Sequence, residues 1–131
     1  MVEERMYVLV KNVNDATGKI LSYCKNLENV YEVNKNTTVF VNRAARVVVR
    51  KIKDEAGSII NYCENLGKSS TDRTMRSVIK EIEKESGNII GYAEELDKKN
   101  PSLDEVISRF PAMCRKCVNN ILKNIKILSK L

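Results

Sequence analysis

A ten-residue pattern occurs three times in this chain of 131 residues. Each copy begins with glycine, continues with Ile-Leu or Ile-Ile at its third and fourth positions, and has tyrosine sixth and leucine tenth. The copies cover residues 18–27, 57–66 and 87–96. A repeat this close indicates that one structural unit was copied along the chain. It therefore constrains the fold more than any other feature of the sequence.

The apolar residues around each glycine recur at steps of three and four. Five residues before the glycine, for example, stand Val13, Ile52 and Ile82. Steps of three and four are the period of an amphipathic α-helix, whereas the strict alternation of a strand is not sustained anywhere. Residues 39–49 are rich in valine, but the helical spacing continues through them and outweighs their strand propensity. The pattern therefore predicts three helices.

The tail of the chain supplies a fourth helix. Asn100-Pro101 is a turn signal, and Ser102-Leu-Asp-Glu105 has the pattern of a capping box. Pro111 lacks a backbone donor, so we expect it to kink or restart this helix. The connections are short and favour antiparallel neighbours. We predict one all-α domain over residues 1–131, an up-down-up-down four-helix bundle, with the first three helices near residues 2–29, 38–66 and 72–98.

Two features of the repeat concern packing. Glycine inside a helix costs about 1 kcal/mol relative to alanine. Three glycines, Gly18, Gly57 and Gly87, therefore predict close approach of a neighbouring helix or ring; a hinge or a ligand cradle is the alternative. The repeated tyrosines are expected to bury their rings and leave their hydroxyls at the rim, with a subunit contact as the alternative. These tyrosines are Tyr23, Tyr62 and Tyr92, of which the first and third should share one end of the bundle.

The four cysteines carry no recognised signature. Cys24 and Cys63 occupy one repeat position, which Ala93 fills in the third copy, and this interchange indicates small apolar packing. Cys114-Arg-Lys-Cys117 is an isolated C-x-x-C without the second ligand pair of a zinc site or the βαβ context of a thioredoxin. Buried free thiols are the default. An antiparallel bundle also allows a disulfide from Cys24 to Cys114 or Cys117, because the end of the first helix meets the start of the fourth.

The chain carries a net charge of +6, and the excess lies on the second and fourth helices. One explanation is a solvated surface, since basic residues late in a helix also suit its dipole. The other is contact with phosphates without base readout. These two helices are diagonal in the predicted bundle, so the pattern does not require one flat basic face. The candidate nucleic-acid contacts are Arg43, Arg46, Arg50 and Lys53 on the second helix, and Arg115, Lys116, Lys123 and Lys126 on the fourth.

Nothing in the sequence indicates catalysis. The chain has no histidine, which is the commonest acid–base residue of enzymes. The carboxylates Asp54, Glu55, Glu81 and Glu85 fall on the polar sides of their helices, and no serine or cysteine has an evident base. We predict a protein without catalytic residues, metal, cofactor or small-molecule substrate. No apolar stretch approaches the ~20 residues of a membrane span, so we also predict no transmembrane segment.

The threefold pattern, in a basic all-helical chain of this length, resembles the major virion protein of the bicaudaviruses, two-tailed spindle-shaped viruses of archaea. The resemblance extends over the whole chain and implies a helical-bundle coat protein in a particle that survives hot acid. It implies no catalytic residues, and makes the cysteine and tyrosine positions packing or subunit-contact sites. The fourth helix has Asn119 at the glycine position and lacks the tyrosine, which argues against strict equivalence of the four helices.

The leading prediction is a virion structural protein that self-assembles through helical faces, as a homo-oligomer or a virion lattice, with non-specific DNA contact. Its location would be the virion, and the host cytoplasm before assembly. The absence of glutamine and the many charges are typical of thermostable proteins, although the abundant asparagine argues the other way. Two alternatives remain: a chromatin-like basic protein that binds DNA without sequence specificity, and a helical module that binds one host protein.

Overall fold

The computed structural model consists of four long helices. The structure describes residues 2–34, 39–67, 72–99 and 103–130, with side chains over 4–31, 43–66, 72–99 and 105–130. The helices are α1 (Val2–Asn34), α2 (Val39–Gly67), α3 (Arg73–Lys99) and α4 (Leu103–Lys130).

The helices form the predicted antiparallel four-helix bundle. α1 packs against α2 and α4, α3 packs against the same two helices, and α2 and α4 barely touch across the diagonal. No strand occurs in the described ranges. The all-α, up-down-up-down prediction is therefore confirmed. α1 continues to Asn34 rather than stopping near residue 29, so its connection to α2 is shorter than the sequence indicated.

The core is built from equivalent positions of the repeat. Ile20, Ile59 and Ile89 are fully buried, and Val13 and Ile52 behave in the same way. Burial of each such side chain contributes about 1.5–3 kcal/mol. The fourth helix, although it lacks the repeated glycine and tyrosine, adds its own buried stripe, which includes Phe110, Cys114, Val118, Ile121, Ile125 and Leu128.

The repeated glycines are not points of close approach. A Cβ atom added at Gly18, Gly57 or Gly87 would meet nothing within 4 Å. The prediction that a neighbouring helix or ring sits against these glycines is therefore wrong. The reason is their position on the helices, since Gly18 is exposed and the other two are only partly covered.

The small buried position lies one residue earlier in each repeat. It is occupied by Thr17, Ala56 and Ser86, all of which are buried. The Thr17 hydroxyl donates to the Asn14 carbonyl at 2.9 Å, and the Ser86 hydroxyl donates to the Ile82 carbonyl at 2.8 Å. Each polar side chain is thus satisfied within its own helix, which leaves the contact between helices apolar.

α4 runs without a break through Pro111. The fourth helix therefore does not restart at this proline, as one form of the prediction had it. The proline lacks the N–H that would bond to the carbonyl four residues earlier, but the flanking turns remain helical on both sides. The predicted turn and capping box at Asn100–Ser102 lie outside the described residues.

Candidate nucleic-acid interface

The outer side of α4 carries an unbroken basic face. The core positions of α4 recur every three or four residues, so the positions on its opposite side recur with the same period and face solvent. Every ionisable side chain that is exposed there after Glu105 is a cation. We call these residues the α4 basic face: Arg109, Lys116, Lys123, Lys126 and Lys130.

Four members of the α4 basic face form one row. Arg109, Lys116, Lys123 and Lys130 are each seven residues apart, which is close to two helical turns. A heptad step drifts by only about 20° around a straight helix, so the four side chains stay on one side of α4. At ~1.5 Å per residue the row is about 31 Å long. No aspartate or glutamate follows Glu105 in the sequence, so no carboxylate of α4 lies within the row.

The predicted contacts on α2 divide into two groups. Arg43, Arg46 and Arg50 are exposed, as the sequence indicated. Lys53 instead lies at the α2–α3 seam, where its ammonium is 3.4 Å from a carboxylate oxygen of Glu94. The neutralised lysine is therefore a weaker candidate for phosphate contact than the three arginines.

Arg115 is also occupied within the bundle. Its guanidinium donates to the carboxylate of Glu28 across the α1–α4 seam, and this hydrogen bond raises the pKa of Arg115. The sequence gave no sign of this pair, because the two residues are far apart along the chain and meet only through the axial register of two antiparallel helices. Arg115 therefore fits a positioning role between helices better than the predicted contact with nucleic acid.

The basic residues of α2 and α4 do not form one surface. The two helices occupy diagonal corners, with α1 and α3 on either side between them. Arg43, Arg46 and Arg50 therefore face away from the α4 basic face. The exposed surface of α3 between these corners has mixed charge, with Lys80 and Lys84 beside Glu81. The α4 basic face is the longer of the two basic surfaces.

The repeated tyrosines lie along seams between helices. The Lys51 ammonium of α2 stands 5.9 Å from the centre of the Tyr23 ring of α1. Tyr62 borders an open groove of about 600 Å³ with residues 4–12 of α1, and Tyr92 borders a second groove with α4. Tyr62 is 36% exposed, whereas Tyr23 and Tyr92 are partly buried against the core. Neither groove brings together a nucleophile and a base, and subunit contact by these tyrosines remains a prediction.

All four cysteines are buried free thiols. Cys24 of α1 and Cys114 of α4 form a side-chain hydrogen bond, whereas Cys117 interacts with Glu85 of α3. Burial, with Glu83 and Glu64 nearby, raises the pKa of Cys63 to about 12. Among the described residues no three histidine, cysteine or acidic side chains converge in a way that would hold a metal ion.

No protein-family model, curated protein or solved structure matches this chain. None of the helices, over the residues that the structure describes, is long and apolar enough to cross a membrane.

Proposed function

We propose that this chain is a virion structural protein that contacts packaged nucleic acid through the α4 basic face. The observation that carries the proposal is the row of exposed cations about 31 Å long on one side of α4, with no carboxylate of that helix among them. The virion setting rests on the resemblance of the threefold helical repeat. Both parts require experimental tests, and the tests are separable.

The chemistry of the α4 basic face suits phosphate rather than bases. Lysine ammonium groups and an arginine guanidinium attract phosphate oxygens and release condensed counterions, and this attraction is independent of base sequence. The described part of α4 exposes no aromatic ring on which bases could stack. Its exposed apolar side chain is Ile127, which is 46% exposed beside Lys123 and Lys126. We therefore expect binding that is sensitive to salt and indifferent to sequence.

Charge-matched variants test the role of the face. Lys116, Lys123 and Lys130 are replaced together by glutamine, and the control replaces Lys80, Lys84 and Lys98 of α3 in the same way. Both variants lower the net charge from +6 to about +3, and glutamine keeps the helix propensity of lysine. In duplex-binding measurements at low salt, the α4 variant should lose affinity about tenfold or more while the α3 variant stays near the parent. Equal affinities for the two variants would contradict the proposal.

The virion setting has its own test. Mass spectrometry of purified particles should find this chain at a copy number typical of a coat component, and electron microscopy of the purified protein should show ordered assemblies. A chain that is absent from particles and monomeric at every concentration would contradict the structural role. DNA binding by such a chain would leave the function of the α4 basic face intact.

A chromatin-like DNA-binding protein is the second candidate. The observation that favours it is the second exposed basic group, Arg43, Arg46 and Arg50, on the opposite corner of the bundle. Two separate basic surfaces would let one molecule bridge two duplexes. Capture of a labelled duplex by an immobilised one would favour this candidate. Loss of that capture in the Arg43→Gln, Arg46→Gln, Arg50→Gln variant, with single-duplex binding retained, would assign the bridge to α2.

A further inference from the structure

Two buried thiols from different helices meet in the upper half of the bundle. Cys24 lies on α1 and Cys114 on α4, and neither is exposed to solvent. Their side chains form a hydrogen bond, so the two sulfur atoms are already neighbours. Just beyond them, Arg115 and Glu28 form the ion pair that joins the same two helices. The seam is thus held from both sides at the level of the thiols.

The other two cysteines have different neighbours. Cys117 lies one turn further along α4 and faces Glu85 of α3, which raises its pKa together with burial. Cys63 occupies the repeat position of Cys24, but on α2, and its charged neighbours are Glu83 and Glu64. The antiparallel course of α1 and α2 places Cys63 towards the opposite end of the bundle. The structure therefore singles out one pair among the combinations that the sequence left open.

The pair is also chemically unequal. The Cys114 thiol donates to the Cys24 sulfur, which lowers the pKa of Cys24, and the positive charge of Arg115 acts in the same direction against the effect of burial. The same hydrogen bond and burial raise the pKa of Cys114. Cys24 is therefore the thiol that ionises first, and a thiolate is the nucleophile of disulfide exchange.

We propose that Cys24 and Cys114 are a redox site that closes to an intramolecular disulfide when the protein meets a small disulfide oxidant. The Cys24 thiolate attacks one sulfur of oxidised glutathione, whose S–S bond breaks and releases one glutathione thiolate. The Cys114 sulfur, after losing its proton, then attacks the Cys24 sulfur of the mixed disulfide and releases the second glutathione. Two protein thiols are oxidised, one glutathione disulfide is reduced, and the two protons end on the two released thiols.

The bridge would join α1 to α4 across a loop of about 90 residues. A crosslink over such a loop restricts the unfolded chain and stabilises the folded one. The inference does not depend on the proposed function, since it concerns the α1–α4 seam rather than the α4 basic face.

Variants at equivalent repeat positions provide the test. Cys24→Ala removes the attacking thiol, and Cys63→Ala makes the same change on α2. Alanine is the natural residue at this position in α3, as Ala93, so both variants should fold. Cys117→Ala removes the competing partner. Each protein is incubated with oxidised glutathione close to its unfolding midpoint, where buried thiols become accessible, and then analysed by peptide mapping and thermal unfolding.

The parent, Cys63→Ala and Cys117→Ala proteins should lose two hydrogens and give a peptide that links Cys24 to Cys114. Their unfolding midpoint should rise by about 10 °C and return with dithiothreitol. Cys24→Ala should show neither the link nor the rise. A bridge through Cys117 or Cys63, a stable glutathione adduct on Cys24, disulfide-linked dimers, or the absence of any bridge would each overturn the proposal.

Discussion

Three helical glycines stand where alanine would fit. Gly18, Gly57 and Gly87 have open space in the direction of a Cβ atom. Glycine loses more backbone entropy on folding than alanine does, so alanine in each position should raise the free energy of unfolding by about 1 kcal/mol. Gly91, which is equally open but lies outside the glycine position of the repeat, is the matched control. Chemical denaturation of the four single variants checks this prediction.

Equal gains at all four sites would mean that the repeated glycines have no packing role. A loss of stability at the three repeat positions with a gain at Gly91→Ala would contradict the structure and restore the close approach that the sequence suggested. Stabilised variants that no longer assemble would instead point to backbone contacts between molecules.

Single residues show what a repeat can and cannot predict. The pattern identified which side chains face inward, so the burial of Ile20, Ile59 and Cys63 follows from it directly. It did not predict the pairing of Glu28 with Arg115. The hydrophobic period defines the rotation of each helix, whereas such pairs depend on how far one helix slides along another.

Asp72 defines the beginning of α3. Its Oδ1 atom accepts hydrogen bonds from the backbone N–H groups of Thr74 at 2.9 Å and Met75 at 3.2 Å. This N-cap geometry satisfies donors that the first turn would otherwise leave unpaired. Asp72→Ala should lower the free energy of unfolding by about 1 kcal/mol, as measured by chemical denaturation.

Asp72→Asn is the control, because its side-chain oxygen accepts the same hydrogen bonds without the charge. It should remain close to the parent. A loss as large as that of Asp72→Ala would show that the carboxylate acts by its charge at the helix terminus and not as a hydrogen-bond acceptor.

The elements also show where the sequence was a sound guide. Three helix boundaries followed from the repeat to within a residue or two, because apolar spacing and turn residues agree there. α1 extends further than predicted, and α4 passes through Pro111. In both places the packing of an apolar stripe against its neighbours outweighs a local signal for stopping the helix.

At the scale of the whole molecule, the buried thiols predict loss of stability in alkali. The folded state holds the pKa of Cys63 at about 12, above the ordinary value of 9.0. Between these values the folded thiol keeps a proton that the unfolded one releases. Its contribution to stability is therefore complete below pH 9 and is lost as the pH rises towards 12. The free energy of unfolding should fall by about 1 kcal/mol per pH unit on this account.

Cys63→Ala isolates this contribution from the titration of tyrosines and lysines. The variant should be less stable than the parent at pH 7, because it loses buried atoms, but its stability should decline less steeply above pH 9. Denaturation curves at pH 7 and across the alkaline range measure both quantities. Parallel pH profiles for the two proteins would contradict the prediction.

The bundle and its diagonal pairs of helices were predictable from the repeat and the short connections. The surface was only partly predictable, because a count of basic residues does not reveal which of them are neutralised at a seam. Lys53 lies near Glu94 and Arg115 pairs with Glu28, whereas Lys116 and Lys123 remain exposed. This distribution makes α4, rather than the summed charge of two helices, the candidate surface.

The most direct test is the salt dependence of duplex binding by the parent and by the two charge-matched lysine variants. For B-DNA the slope of log Kobs against log salt is about −0.9 per neutralised phosphate. The triple glutamine variant of Lys116, Lys123 and Lys130 should reduce the magnitude of that slope by about 2.7, and the variant of Lys80, Lys84 and Lys98 should leave it unchanged. Identical slopes for the two variants, or slopes that differ between unrelated duplex sequences, would contradict contact with the nucleic-acid backbone through α4.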